Sequence, residues 1–166
     1  MINSIIDGIS ITLNDEFNPN SKNDYTIYDE EVNQGLKTPC FFINALNPSE
    51  DLFRGRRYKE VNQFCIQFIP GDSDYSKKHT CNEIRERLFS CLEYITIEET
   101  DGETKFKSLI RGNKMHGEYV DGTLNFFVNY DMFVKKKEVE ADKMDSCDYN
   151  STIMEGWYKY ERKSWK

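Results

Sequence analysis

The sequence lacks the long apolar run that a membrane-spanning helix requires. No segment of its 166 residues approaches the roughly 18 apolar positions of such a helix. A basic excess is missing as well, since 29 Asp and Glu outnumber 22 Lys and Arg and give a formal net charge of −7. DNA and anionic membranes attract basic surfaces, so we expect neither as the main partner. The first ten residues carry Asp7 and no basic residue, and we therefore expect no signal peptide.

Patterns of a metal site or a disulfide framework are also missing. The chain has no Cys-x-x-Cys pair, and its two histidines, His79 and His116, are far apart. The odd set of five cysteines is Cys40, Cys65, Cys81, Cys91 and Cys147. Four of them fall in predicted strands or helices, which favours reduced, buried thiols of an intracellular protein over secreted disulfides. We expect a stability that depends on neither metal nor disulfide.

No group of residues has the pattern of a catalytic site. Nucleophilic catalysis requires an exposed Cys or Ser beside a base, whereas these cysteines belong to apolar faces. Gly112-Asn113-Lys114 lacks both the earlier glycine and the following Ser or Thr of a phosphate-binding loop. Asp72-Ser73-Asp74 lacks the glycine and the terminal glutamate of a calcium loop. We predict no catalytic residue, no cofactor and no bound metal.

Aromatic residues, by contrast, are abundant. Phe, Trp and Tyr make up 14% of the chain, within a hydrophobic share of only 38%. Aromatic and β-branched side chains fit the half-buried surface of a pleated sheet, so the composition favours strands. A chain of this length is expected to form one domain with an ordinary core.

Two segments have the spacing of amphipathic helices. In the first, one apolar stripe is formed by Ile2, Ile5, Ile6, Ile9 and Leu13. Residues 18–21 then break this helix. In the second, Thr80 and Glu83 form a Thr-x-x-Glu pattern, which predicts a capping box with Thr80 at the helix start. Apolar residues on one face continue this helix to about Glu93.

Strands are predicted on both sides of the second helix. Before it lie residues 25–28, an apolar segment 40–46 that Asn47-Pro48-Ser49 is expected to end, and an alternating segment 56–69. After it, Asp101-Gly102 and Asp121-Gly122 supply the positive φ angles of type I′ hairpin turns. They join 94–99 to 104–111 and 115–120 to 123–134. The order predicts an α+β fold with two helices packed on one face of a mostly antiparallel β-sheet.

Two surface features of this predicted domain are candidates for a partner interface. In the strand 123–134, one face is apolar, while Phe127 projects from the other face among polar residues. We predict that Phe127 lies at a subunit contact. The basic turn formed by Arg54, Arg56 and Arg57 could hold a phosphate or an acidic partner, and an ordinary solvated hairpin end is the alternative reading.

The C-terminal part of the chain differs from the rest. Residues 138–148 hold five acids against one lysine, which is typical of a solvated linker. The aromatic and basic residues beyond it are Trp157, Tyr158, Tyr160, Arg162 and Trp165. We therefore divide the chain into a domain, 1–137, and an extended arm, 138–166. The arm either folds back on its own domain or docks on another subunit, where Trp, Tyr and Arg are the dominant interface residues.

Four segments resemble, in order and spacing, a family of bacteriophage tail terminator proteins. They are IIDGI (5–9), EEVNQGLKTPCFFI (30–43), LFSCLEYI (88–95) and VDGTLNFFVNY (120–130). Such proteins occur in tailed phages and in phage-derived elements of low-GC Gram-positive bacteria. The resemblance covers about residues 1–135, so it implies nothing about the role of the arm.

The resemblance implies a structural, non-enzymatic protein with an α+β fold. Family members form a homo-hexameric ring that caps the growing tail tube, stops its polymerisation and presents a surface to the neck or head. The implied partners are copies of the chain itself, the tail tube protein, and sheath, neck or collar proteins. DNA would pass through the ring without specific binding, which suits an acidic chain. The protein would act in the host cytoplasm during assembly and then in the virion tail.

Two other interpretations are kept beside this one. A neck or tail-completion protein, which joins head to tail, would place the chain elsewhere in the virion. A small cytosolic enzyme or regulator would place it outside the virion. Whether the tail is contractile, and whether the parent is an infectious phage or a tail-like bacteriocin, is left open by the sequence.

Overall fold

The computed structural model of the chain describes residues 1–19, 23–29, 35–72, 74–101 and 104–136. Within these ranges it has two α-helices and eight β-strands. The helices are α1 (Ile2–Phe17) and α2 (Lys77–Cys91). The strands are β1 (Thr26–Tyr28), β2 (Cys40–Arg54), β3 (Arg57–Ile69), β4 (Tyr94–Asp101), β5 (Thr104–Arg111), β6 (Asn113–Val120), β7 (Thr123–Asn129) and β8 (Met132–Lys135).

Six of the described strands form one sheet in the order β1-β2-β3-β7-β6. The strand β8 pairs with the first residues of β3, whereas β7 pairs with its last residues. Only β1 and β2 are parallel, and all other neighbours are antiparallel. The strands β4 and β5 form a separate antiparallel hairpin. The predicted α+β class with a mostly antiparallel sheet is therefore confirmed.

The core lies between the helices and one face of the main sheet. Every second residue of β3 and β7 is buried there: Phe64, Ile66, Phe68, Leu124, Phe126 and Val128. The helices add their own apolar faces: Ile5, Ile9, Leu13, Phe17, Cys81, Ile84 and Leu88. The apolar faces predicted for both helices and for these two strands are confirmed.

A glycine allows α1 to lie directly against the β4–β5 hairpin. A Cβ atom at Gly8 would lie 2.8 Å from the carbonyl oxygen of Thr96, closer than real Cβ atoms approach backbone. Ile95 and Ile97 of the same strand are buried beside this contact. Only a residue without a side chain gives this distance between helix and hairpin.

The predicted start of the second helix was wrong, whereas its predicted end was two residues late. The helix begins at Lys77, and Thr80 lies inside its first turn, where the hydroxyl donates to the carbonyl oxygen of Ser76 at 3.4 Å. The turn before the helix is held instead by Asp74, whose carboxylate accepts the Ser76 N–H at 2.7 Å. This hydrogen bond starts the helix earlier than a Thr80 capping box would. The helix also ends at Cys91 rather than near Glu93.

Asn47-Pro48-Ser49 does not end its strand, contrary to the sequence prediction. The strand β2 continues to Arg54, and its pairing with β3 shifts between Leu46 and Ser49. This shift in pairing is a bulge, in which Asn47 has a positive φ of 41°. Pro48 lies in the bulge, where its missing N–H costs no hydrogen bond between the strands.

The long strand predicted at 123–134 is in fact two strands. The chain leaves β7 at Tyr130, whose N–H donates to the carbonyl oxygen of Asn62 at 2.8 Å, and it enters β8 at Met132. The hairpin turn before β7 is confirmed, because Asp121 and Gly122 have φ angles of 49° and 83°. The other predicted turn includes Gly102, which lies outside the described residues, although β4 and β5 pair up to Asp101 and Thr104.

Candidate assembly surface

The distal half of the β2–β3 hairpin extends beyond the core as a three-stranded ribbon. After the bulge, pairing resumes at Ser49 with Val61 and ends at Arg54 with Arg57, around a turn at Gly55 (φ 59°). β8 adds the third strand along residues 57–60. Residues 47–57 are all exposed. We call residues 49–60 together with 132–136 the ribbon.

Two phenylalanines form an exposed pair on this ribbon. The side chains of Phe53 and Phe133 are 63% and 62% exposed, and their ring centroids lie 5.1 Å apart in an edge-to-face arrangement. A depression of about 430 Å³ beside them is lined by Phe53, Arg57, Phe133, Val134 and Lys135. Exposed apolar side chains rimmed by polar groups mark interaction surfaces. The pair therefore makes this face of the ribbon a candidate assembly surface.

The basic turn predicted from the sequence lies at the tip of the same ribbon. Arg54, Arg56 and Arg57 are exposed there, and Arg54 lies directly opposite Arg57 in the strand pairing. Like charges at opposite positions destabilise a strand pair. An acidic partner would offset this repulsion, and the acidic-partner interpretation of the turn stays a prediction beside that of a solvated hairpin end.

Lysines extend the positive charge along the ribbon. Lys59 lies directly opposite Phe133 in the strand pairing, and Lys135 lies directly opposite Arg57. Lys136 bonds the carboxylate of Glu50 and lies 4.1 Å above the Tyr58 ring, on the other side of the ribbon. The hydrogen bond that Lys136 donates to Glu50 raises the pKa of Lys136. The ribbon has six basic residues against three acidic ones, in a chain with a net charge of −7.

Phe127 is on the predicted face of the sheet but not on the ribbon. It lies in β7 between Cys65 of β3 and His116 of β6, and the face it occupies is opposite to the helices. The imidazole of His116 stacks on its ring, with centroids 4.8 Å apart and planes 16° apart, which leaves Phe127 half-buried. A role for Phe127 in a subunit contact stays a prediction.

The same open face of the sheet carries a second aromatic pair that the sequence analysis missed. Tyr28 stacks on Phe42 with ring centroids 5.0 Å apart. The position of Phe42 could have been predicted from the alternation of β2, since Phe41 and Ile43 are buried and Phe42 between them is not. The open face thus has two stacked pairs of rings separated by polar side chains.

The Phe53–Phe133 pair was also missed. Phe53 precedes the basic turn in the sequence, but its partner Phe133 can be found only when the pairing of β8 with β3 is known. That pairing joins segments far apart in the sequence, so the local alternation of residues does not reveal it. Of the predicted interface residues, Trp157, Tyr158, Tyr160, Arg162 and Trp165 lie outside the described residues.

Of the described cysteines, Cys40 and Cys81 are buried, and Cys65 and Cys91 are partly buried. Cys40, Cys65, Cys81 and Cys91 are free thiols, and burial raises the pKa of each. For Cys91 the pKa is raised to about 12. Among the residues that the structure describes, no group of three or more His, Cys, Asp or Glu is placed to hold a metal ion. No helix in this part of the chain is long and apolar enough to span a membrane.

A folded core with an exposed aromatic and basic ribbon is typical of a protein that works by assembling with others. A family model described as phage tail terminator protein matches residues 4–142, which is most of the chain. The chain therefore belongs to the phage tail terminator family, and the resemblance found in its sequence is confirmed. No curated protein matches the chain.

Membership in this family defines the protein's general role. Tail terminators are structural proteins of the virion tail, and they associate with other tail proteins.

Proposed function

We propose that copies of this chain assemble into a ring that caps the phage tail tube, stops its polymerisation and presents the surface to which the neck or head attaches. The observation that carries the proposal is the ribbon, where Phe53 and Phe133 are exposed outside the core of a tail terminator domain. The ring is a homo-hexamer by its resemblance to the family. Its further partners are the tail tube protein and the sheath, neck or collar proteins.

A closed ring needs two different surfaces on each subunit, because each copy contacts one neighbour with one surface and the next neighbour with the other. The ribbon is one such surface. The open face of the sheet, with Phe127 stacked on His116, is distinct from it and is a candidate for a further contact. The two surfaces are carried by β2, β3 and β8 on the one hand and by β6 and β7 on the other.

The arm, residues 138–166, adds a further connection in this proposal. The domain ends on the ribbon, and an extended chain of this length spans at most roughly 95 Å, enough to cross a neighbouring subunit. Trp157 and Trp165 would anchor it in pockets, with Tyr158, Tyr160 and Arg162 beside them. A chain that ends at Lys137 is then expected to form weaker rings.

The charge of the chain suits a ring through which DNA passes. Each copy contributes −7, so the ring as a whole repels phosphates and does not retain the DNA in its channel. Assembly takes place in the host cytoplasm, and the finished ring remains in the virion tail.

Mass measurement and imaging of the purified full-length protein test this proposal. Native mass spectrometry is expected to give particles of six 19.6 kDa chains, and negative-stain images should show rings with an open centre. A protein that stays monomeric over a wide concentration range, with and without tail tube protein, would contradict the ring.

A further inference from the structure

We infer that the face of the ribbon formed by Phe53, Arg57, Phe133 and Lys135 is the docking site for the acidic segment 138–148 of a second copy of the chain. The inference deepens the proposed function and rests on it, since it names the contact that links one subunit of the ring to the next. The evidence for it is the charge of the two surfaces, the open edge of β8 and the direction in which the chain leaves the domain.

The two surfaces have opposite charge. The segment 138–148 has five acids and one lysine. The ribbon face has Arg57 and Lys135 beside the phenylalanine pair, with Lys59 in the same strand pairing and Asp51 as its acidic member. Within the described chain, Arg57 and Lys135 form no ion pair of their own. They are therefore available to carboxylates supplied by another segment.

The strand β8 has an unpaired edge beside this face of the ribbon. In the described structure it pairs with β3 alone, so the backbone groups on its outer side have no partner strand. An extended peptide adds to such an edge through backbone hydrogen bonds. Residues 138–142, Glu-Val-Glu-Ala-Asp, alternate between acidic and apolar types, and in an added strand the three acids would share one side.

The direction of β8 favours a second copy over the same chain. β8 starts beside Glu60 near the core and ends beside Arg57 at the ribbon tip. The N–H of Lys136 then donates to the carbonyl oxygen of Arg56 in the turn, at 3.0 Å. At Lys136, the last described residue, the chain thus runs toward the tip of the ribbon and away from the core of its own domain. Docking on its own ribbon would require an immediate reversal after Lys136, whereas docking on a neighbour requires none.

A contact of this kind closes a ring. Each copy gives its acidic segment to one neighbour and receives the segment of the other neighbour on its ribbon. Such head-to-tail contacts generate a ring when the rotation between subunits closes. The ring then depends on salt, because the contact joins exposed charges that ions screen.

Isotope-mixed cross-linking tests the inference directly. Equal amounts of unlabelled and ¹⁵N-labelled full-length protein are mixed as monomers, assembled and treated with a carbodiimide, which joins lysines to carboxylates in contact. We expect links from Lys59 or Lys135 to acids of 138–148, with about half of them joining a heavy chain to a light one. Links found only within chains of one isotope would overturn the second-copy assignment, and no link between these regions would overturn the site itself.

Charge exchange between two full-length variants gives an independent test. One variant carries Arg57→Glu and Lys135→Glu, and the other carries Glu138→Lys, Glu140→Lys and Asp142→Lys. Each alone should associate at least tenfold more weakly, since its arm and ribbon then have like charge. Mixing the two should restore rings, because every arm finds a complementary ribbon on the other variant. If mixing restores nothing, the contact is not made between copies.

The two tests separate failure of this inference from failure of the proposed function. Native mass spectrometry on the same samples reports whether rings form at all. Rings of wild-type protein without cross-links between 138–148 and the ribbon leave the proposed function standing and overturn only this contact. Monomers in every sample contradict the ring and the contact together.

Discussion

Phe53 and Phe133 meet edge to face across β3, so that the hairpin formed by β2 and β3 is tied to β8 at its exposed end. An aromatic pair of this geometry contributes about 0.5–1.5 kcal/mol beyond its buried area. The contact joins β2 to β8 on the ribbon face in the chain without a partner. A preorganised surface loses less conformational freedom when a partner binds, which favours tight binding.

We expect Phe133→Ser to weaken ring formation while leaving the domain folded. The side chain is exposed, so its loss should lower the free energy of unfolding by no more than about 1 kcal/mol. The ring should require at least tenfold higher protein concentration, measured by analytical ultracentrifugation. Leu52→Ser is the matched control, because Leu52 is 63% exposed, much like Phe133, but lies opposite Tyr58 in the strand pairing and not in the phenylalanine pair. Equal weakening by both variants would contradict a specific role for the phenylalanine pair.

Phe127→Asp tests the open face of the sheet. The aspartate would remove the ring on which His116 stacks and place a charge beside Cys65. We expect weaker rings and a circular dichroism spectrum like that of the wild type, because the apolar core lies on the other face. Asn125→Asp, on the same face of the same strand, is the control for added charge alone. Loss of the folded spectrum in Phe127→Asp would show that this residue is needed for the domain itself.

Tyr130→Phe is expected to destabilise the domain without affecting assembly. The buried hydroxyl of Tyr130 donates to the carbonyl oxygen of Leu92 at 2.8 Å, just past the end of α2. Without it, a carbonyl at a helix end loses its donor in the interior, at a cost of about 1–3 kcal/mol. Urea denaturation measures this difference. Tyr119→Phe, at an exposed position, should change the free energy of unfolding by less than about 0.5 kcal/mol.

Burial of Cys91 predicts a loss of stability in alkaline solution. Desolvation raises its pKa in the folded protein to about 12, whereas a thiol in the unfolded chain ionises near 9. Between these values the unfolded state binds fewer protons, so the free energy of unfolding falls as the pH rises from about 9 toward 12. Below pH 9 the contribution is fully present. Denaturation series at several pH values should show a shallower fall for Cys91→Ala, and an unchanged slope would contradict a buried thiol.

The sequence predicted the core of this fold well because the core depends on local alternation. Residues Phe64, Ile66 and Phe68 are spaced two apart, and every one is buried as the pattern requires. The apolar stripe of α1 is equally direct, since Ile5, Ile9 and Leu13 face the sheet. These features need no knowledge of how distant segments pair.

The ribbon could be predicted only in part because it is built from distant segments. Arginines around a turn are visible in the sequence, but a bulge at Asn47 lets β2 continue where a proline signalled an end. The strand β8 pairs with β3 in the same register as β7, beyond a break where Tyr130 and Asn62 are hydrogen-bonded to each other. The bulge and the pairing of β8 with β3 are both set by contacts between distant segments, and the contact between Phe53 and Phe133 depends on both.

The most direct test of the account is the length of tail tubes assembled in the presence of this protein. Tail tube subunits from the same phage are polymerised in vitro with increasing amounts of the full-length chain, and tube lengths and tube ends are measured by electron microscopy. The account predicts that growth stops in proportion to the amount added, with a ring visible at one end of each stopped tube, and that Phe133→Ser stops growth less effectively than Leu52→Ser. Tubes that grow to the same lengths with and without the protein, and carry no ring, would contradict it.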